Sequence, residues 1–400
     1  MTRQSGNLPA CAVVDLDAVR ESVATLVTRA GNAATMAVVK ADGYGHGMLP
    51  CARAALEAGA SWLGVAFISE ALALRAAGLT VPVFAWLSTP GEPLTEAIAA
   101  DVDLSVSAPW SLAEIAAAAR LTGRTARVHL KADTGLNRAG ATEAGWPSLC
   151  AASAARVADG LIDVVGVWSH FAFADSPGHP TVRAQIGYFR DAVAIAEKAG
   201  LRPRVRHLAN SAATLISPDA HFDLVRPGIS VYGLSPGPAL GPPTALGLRP
   251  AMTLTARLAL AKRVPAGGGV SYGHRYTTLD ETTLALVPLG YADGVPRSAG
   301  NTAEVLLAGR RRRIAGTVCM DQFVLDVGDD PVQAGDQVIL FGPGEHGEPT
   351  AADWADALGT INYEIVTRIG VRVPRVHLNV SGPAGLAGPA GPAGLERGLP

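Results

Sequence analysis

Short apolar runs alternate with alanine-rich amphipathic stretches through the first part of the chain. Residues 11–16 predict a strand and residues 17–29 a helix. Further strands are predicted near 36–40, 62–66, 81–87, 103–106, 126–131, 162–168, 204–208 and 222–226. Helices are predicted between them, near 48–58, 69–77, 92–100, 109–121, 141–157, 181–199 and 211–216. Runs such as Met36–Val39 are apolar without alternation, the pattern of strands covered on both faces. Eight strands with intervening helices over roughly 190 residues predict a parallel (β/α)8 barrel rather than an open sheet.

The texture changes after residue 233. Residues 235–243 are dense in proline and glycine and predict a linker or surface loop. Beyond it the runs become strand–turn–strand, near 252–263, 283–289, 303–307, 313–318, 322–327 and 337–341, with one helix at 350–358. The fold class is therefore α/β: an N-terminal TIM-like barrel over 10–240, followed by a mostly-β C-terminal domain over 248–378. Residues 10–15 are candidates for that second sheet. The Gly/Pro/Ala-rich segment 379–400 has low complexity and is expected to be disordered.

With 48% hydrophobic and 17% charged residues, 400 residues can bury one large and one smaller core. A net charge of −2 argues against a nucleic-acid or membrane-surface partner. The four cysteines, Cys11, Cys51, Cys150 and Cys319, have no C-x-x-C pairing and read as structural thiols in a reducing compartment. Neither a signal-peptide pattern nor an apolar run of spanning length is present, so a soluble cytoplasmic protein is expected.

In such a barrel, chemistry sits at the carboxyl ends of the strands. There the sequence places Lys40 and Tyr44; Lys131 and Arg138; His170 and Asp175; His207, Asn210 and Ser211; and Arg226, Gly228 and Ile229. Lys40 alone reads equally as a lysine reaching solvent or as a desolvated amine suited to Schiff-base chemistry. Ser211 is expected to cap a short helix, and Gly228 to let the backbone approach an anion closely. A Schiff-base amine and a phosphate cradle on one rim suggest pyridoxal phosphate, with an adventitious anion site as the alternative. No metal ligand set stands out.

The stretch Ala37-Val-Val-Lys-Ala-Asp-Gly-Tyr-Gly-His-Gly47 resembles the cofactor-lysine motif of the alanine racemases, fold-type III pyridoxal-phosphate enzymes. Lys131-Ala-Asp-Thr-Gly-Leu-Asn-Arg138, Ser169-His-Phe-Ala-Phe-Ala-Asp175, His207-Leu-Ala-Asn-Ser211 and Val225-Arg-Pro-Gly-Ile229 are similar to further motifs of that family. So are Val270-Ser-Tyr-Gly273, Gly290-Tyr-Ala-Asp-Gly294, Val318-Cys-Met-Asp-Gln322 and Ile361-Asn-Tyr-Glu364. They run in family order from about residue 10 to residue 376.

The resemblance implies racemisation of alanine between two bases: Lys40, which carries the cofactor, and Tyr272 of the partner subunit in a homodimer. A free phenol ionises near ~10, so the tyrosine needs cationic help, for which His170 and Arg226 are candidates. Arg226 is implied to face the pyridine nitrogen, and Tyr44, Ser211, Gly228, Ile229 and Tyr363 to hold the phosphate. His170 and Asn210 are further cofactor contacts. Arg138 is implied to bind the substrate carboxylate, supported by Lys131, carbamylated in family members, and by the Met320 backbone N–H. Asp321 would orient neighbours; Asp175, Tyr291 and Arg297 would line the substrate corridor. The product D-alanine would serve peptidoglycan synthesis. One position departs from the pattern: Thr317 stands where members often carry arginine. A broader serine-type racemase, a non-catalytic cofactor carrier and a decarboxylase are the competing readings; Arg226 argues against the last and the second domain against the carrier.

Overall fold

The computed structural model describes residues 8–380; residues 381–400, most of the segment expected to be disordered, lie outside them. Strand β1 (Ala10–Asp15) leads into helix Leu16–Ala30, whose first turn is capped by Asp15 accepting from the Asp17 N–H at 3.0 Å. Leu16, Val19, Val23 and Leu26 form its buried stripe. Each such aliphatic side chain contributes roughly 1.5–3 kcal/mol by leaving water.

Eight parallel strands then follow: β2 (Ala34–Val38), β3 (Trp62–Val65), β4 (Val83–Ala85), β5 (Val102–Val106), β6 (Ala126–Lys131), β7 (Ile162–Trp168), β8 (Val205–His207) and β9 (Leu224–Val225). They pair in sequence order from β2 to β8, and β9 pairs with β2 through Ala34 opposite Leu224. Between β8 and β9 the ring is tied by single backbone bonds, Asp223 N–H to Arg206 O (3.1 Å) and Arg226 N–H to Ala209 O (2.9 Å). Arg206 reinforces this seam by an ion pair to Asp223 at 2.6 Å. The barrel is thus nearly closed, as the strand count predicts.

The second unit is a nine-stranded sheet built from β1 and from β10 (Met252–Arg257), β11 (Leu260–Val264), β14 (Thr282–Val287), β15 (Glu304–Leu307), β16 (Arg310–Ala315), β17 (Phe323–Gly328), β18 (Gln337–Phe341) and β19 (Arg375–Leu378). A two-stranded ribbon, β12 (Gly269–Val270) with β13 (Tyr276–Thr277), stands apart from it. β1 lies between β10 and β19, so the start and the end of the described chain are neighbours. The single strand expected over 252–263 is two strands in distant places of the sheet, because Leu258 and Ala259 turn out of register. Helix Asn362–Thr367 and strand β19 have no counterpart among the expected elements.

Lys40 corrects a further expectation. β2 stops at Val38, and Lys40 opens a turn in which Ala41, Asp42, Gly43 and Tyr44 all have φ between 51° and 61°. Left-handed backbone costs roughly 1–2 kcal/mol for each residue with a Cβ. The turn persists because its donors are satisfied: Ala41 N–H by Glu70 (2.6 Å), Gly43 N–H by Val39 O (2.9 Å) and Gly45 N–H by Ala41 O (3.0 Å). Gly45 is also required by packing, since a Cβ there would lie 2.4 Å from the Val366 carbonyl oxygen. No helix among the described residues is long and apolar enough to cross a membrane.

Candidate active site

The residues expected at strand ends do gather at one mouth of the barrel. The Lys40 ammonium stands 5.8 Å from the Tyr44 ring and 5.6 Å from Trp86. Burial lowers its pKa, the nearby positive Arg138 lowers it further, and Glu70 opposes both. Lys131, buried with its ammonium 4.2 Å over Trp168, is pushed down to about 8 by burial and by Arg138 and Arg226. It therefore has an appreciable neutral fraction near pH 8, the form from which a carbamate is made.

Arg226 is almost fully buried. Its guanidinium donates to the Ser169 carbonyl (2.7 Å) and meets His170 Nδ1 at 3.3 Å and His207 Nδ1 at 3.1 Å, while lying 5.0 Å from the Trp168 ring. Burial brings it down to about 9, which leaves it charged at neutral pH. Gln185, on helix Pro180–Lys198, fixes the His170 loop by donating to the His170 carbonyl (3.0 Å) and accepting from the Ala172 N–H (2.9 Å).

Asn210, not Ser211, caps helix Ser211–Ile216, its side-chain oxygen accepting from Ala213 N–H at 3.1 Å. The longer amide side chain reaches the third helical residue, and this frees Ser211 for another task. Ser211 Oγ accepts the Gly228 N–H (2.8 Å) and the Ser230 N–H (3.4 Å), joining the loops that follow β8 and β9. Its own hydroxyl hydrogen has no acceptor among the described residues. A Cβ on Gly228 would fall 2.3 Å from the Tyr44 hydroxyl, so any larger residue here would have to push the tyrosine aside. Ile229 follows, fully buried, and Tyr363 packs its ring 6.3 Å from Tyr44. Asp175 lies against Gly237 and close enough to Tyr363 to raise its pKa, after burial. The linker 235–243 is held here by Asn362 donating to Ser235 O at 2.9 Å.

Tyr272, Met320, Tyr291, Asp321, Arg297 and Thr317 are not part of this mouth. They form a second cluster on the β-rich unit. Tyr272 is 75% exposed and Met320 53%. Thr317 donates to the Tyr272 carbonyl (2.9 Å) and Ser271 to the Thr317 carbonyl (2.6 Å), which fixes the tyrosine's backbone. Tyr291 N–H and Ala292 N–H bond the Cys319 and Met320 carbonyls, both at 3.0 Å. Arg372, which sequence reasoning missed, bridges Asp293 (2.8 Å) and Asp321 (2.8 Å) and so clamps both segments. Arg297 opens a short 3-10 turn on the same unit.

Four histidines around the mouth and its floor are held neutral by burial. His46 is brought down to about 4, His129 is lowered, and His170 and His207 fall well below 6.5. The unfolded chain therefore binds protons below 6.5 that the folded chain refuses. Their stabilisation is complete above 6.5 and is lost as pH falls; His46 alone contributes on the order of 3 kcal/mol of that slope. The melting temperature is expected to fall steadily between pH 6.5 and 4, and a flat profile over that window would contradict neutral histidines.

Cationic residues dominate this mouth: Lys40 and Lys131 each sit beside Arg138, Lys131 also beside Arg226, and the acidic groups that oppose them are Glu70 near Lys40 and Asp133 near Lys131. A dianionic phosphate and a carboxylate would complete such a set. The chain matches the family profiles "Alanine racemase, N-terminal domain" over residues 14–236 and "Alanine racemase, C-terminal domain" over 251–377. It is 77% identical over 381 residues to the alanine racemase of Frankia casuarinae, covering 94% of this chain and 99% of the relative. The alanine racemase of Thermobifida fusca is 63% identical, over 91% of this chain and 96% of its own. The crystal structure of alanine racemase from Streptomyces lavendulae superposes with a TM-score of 0.92 at 60% identity, over 93% of this chain and 97% of that one.

Proposed function

Because the chain belongs to the alanine racemase family of isomerases, we propose that it interconverts L-alanine and D-alanine with pyridoxal 5′-phosphate, as a cytoplasmic homodimer that supplies D-alanine for peptidoglycan. The observation that carries this reading is the excess of positive charge at a barrel mouth whose floor, at Gly228, admits no side chain unless Tyr44 moves. The residues present fit the cofactor. Tyr44, the free Ser211 hydroxyl, Gly228, Ile229 and Tyr363 would hold its phosphate, with Asn210 fixing the loop and His170 and Arg226 on the ring side. When bound, the cofactor supplies an electron-withdrawing ring that acidifies the substrate Cα–H.

The chain's own residues supply the rest. Lys40, desolvated and beside Arg138, exchanges protons as an uncharged amine at one face of Cα. Inversion needs a second group at the other face, and Tyr272 of the partner subunit takes that role. It is fixed by Thr317 and exposed for such a contact. Arg138 binds the substrate carboxylate by its planar fork, with Lys131 beside it and the backbone N–H of Met320 of the partner subunit opposite. Arg226 only donates, so a pyridine nitrogen facing it would stay unprotonated, which would restrain electron withdrawal and disfavour transamination. Asp175 and Tyr363, with Tyr291 of the partner subunit and Arg297 of the partner subunit, narrow the corridor, and Asp321, tied to Arg372, holds the Met320 segment in place.

The test is loss of optical activity in L-alanine and, separately, in L-serine, each with the cofactor-loaded protein. Alanine is expected to racemise faster by roughly tenfold or more, the discrimination a narrow gate gives against one added hydroxyl. Equal rates would mean a broader racemase. Bound cofactor with no racemisation of either would mean a carrier.

A further inference from the structure

A line of buried polar residues runs along the barrel interior behind Arg226, flanked by Phe84 and Trp168. Asp103 on β5, His129 on β6 and His207 on β8 are each fully buried. Phe84 lies 4.5 Å from the His129 ring, and Trp168 stacks on His207 at 5.9 Å with their planes 5° apart. Burial among aromatic rings makes an unmatched donor or acceptor here expensive.

The chemistry of the end groups leaves no freedom in placing the hydrogens. Arg226 only donates, so His207 Nδ1, 3.1 Å from its Nη1, must be an acceptor. Neutral His207 then carries its hydrogen on Nε2 and gives it to His129 Nδ1 at 2.8 Å. His129 in turn carries its hydrogen on Nε2, 3.1 Å from Asp103 Oδ2, and a carboxylate only accepts. Asp103 ends the line on Arg127, which donates to its other oxygen and at 3.1 Å to Oδ2. Besides Asp103, Arg226 and Arg127 are the charged groups facing the two imidazoles.

We propose that His207 and His129 form a one-way chain of donors ending on the accepting carboxylate of Asp103, a chain that fixes the orientation of the Arg226 guanidinium, with Asp103 as the positioning residue that sets its direction. Both imidazoles are held in the Nε2–H tautomer. The carboxylate polarises each bond toward itself, so a buried positive charge at the mouth is matched by a negative one across the barrel interior. Asp103→Asn keeps the shape but offers an N–H. With the amide oxygen kept on Arg127, the N–H would face His129 and reverse every bond. A hydrogen on His207 Nδ1 would then confront the Arg226 N–H, and the guanidinium would have to move.

The consequence for catalysis rests on the reading of Arg226 as the residue beside the cofactor ring; the tautomers rest on geometry alone. Neutron diffraction from deuterated holoenzyme crystals is expected to show deuterium on Nε2 and none on Nδ1 in both His129 and His207. Deuterium on Nδ1 of either ring overturns the proposal, and this needs no variant. Asp103→Asn is expected to move both hydrogens to Nδ1. It should lower kcat for alanine about tenfold or more, the equivalent of one hydrogen bond to a charged group, with KM unchanged because Arg138 is untouched. A folded variant with reversed tautomers and normal kcat overturns the link to Arg226. Failure of the wild-type protein to racemise alanine would instead sink the functional reading, while the tautomers would still be open to measurement.

Discussion

Lys40→Ala is expected to lower racemisation of alanine by roughly 10³-fold or more, since it removes both the covalent anchor and one of two bases. The loss should come without unfolding. Lys40 makes no ion pair among the described residues, and its ammonium is partly desolvated at the mouth beside Arg138. Removing a poorly solvated charge lifts a cost from the native state. The variant's melting temperature in the absence of cofactor is therefore expected to equal or exceed that of the wild type. The left-handed turn should also survive, because its bonds run through the backbone of Val39 to Gly45 and through Glu70. Borohydride reduction followed by peptide mass spectrometry gives the complementary readout: cofactor tethered at residues 40–47 in the wild type and at no peptide of the variant. Retention of more than a small fraction of the activity would remove Lys40 from both roles.

Much of this arrangement was legible in the sequence, for a physical reason. Uninterrupted apolar runs such as Met36–Val39 can only be covered strands, and their spacing leaves room for helices, so the barrel follows from periodicity. Polar residues at the ends of those runs then mark one rim, and Lys131, Arg226 and Ser211 do lie there. What periodicity could not give was conformation within a loop. The left-handed path of Ala41–Tyr44 depends on Glu70, 29 residues beyond Ala41, and on a glycine pressed against Val366 of the second unit. The exchange of roles between Asn210 and Ser211 likewise depends on a bond to Gly228 across the barrel seam.

Other residues escaped notice although a signal was present. Asp103 and His129 interrupt the apolar strands Val102–Val106 and Ala126–Lys131 in mid-run, where a polar side chain must find a buried partner. Read that way, each would have pointed to the other. Arg372 carried no such mark, being one more exposed arginine until Asp293 and Asp321 are seen on either side of it. In sequence Thr317 is only a missing arginine; in the fold its hydroxyl holds the Tyr272 carbonyl.

Tyr272→Phe carries the second large effect, and it also decides where the tyrosine works. Losing one of two proton-transfer groups is expected to cost roughly 10²–10⁴-fold in kcat. Exchange at the Lys40 face should persist, so in deuterated water one enantiomer of alanine should still wash deuterium into Cα with retention. Within one chain, no hydrogen bond or ring contact joins Tyr272 to the barrel mouth among the described residues. Its ring is exposed, as are Met320 and Tyr291 on the same unit, surface suited to covering another subunit's cationic mouth. A mixture of subunits tests this directly. A dimer of one Lys40→Ala and one Tyr272→Phe subunit would hold a single intact site, lysine from one and tyrosine from the other, and one site with neither. Random reassortment of equal amounts makes half the dimers mixed, so roughly a quarter of wild-type activity should return from two inactive proteins. If instead Tyr272 served its own barrel, every site in the mixture would lack one base and nothing would return.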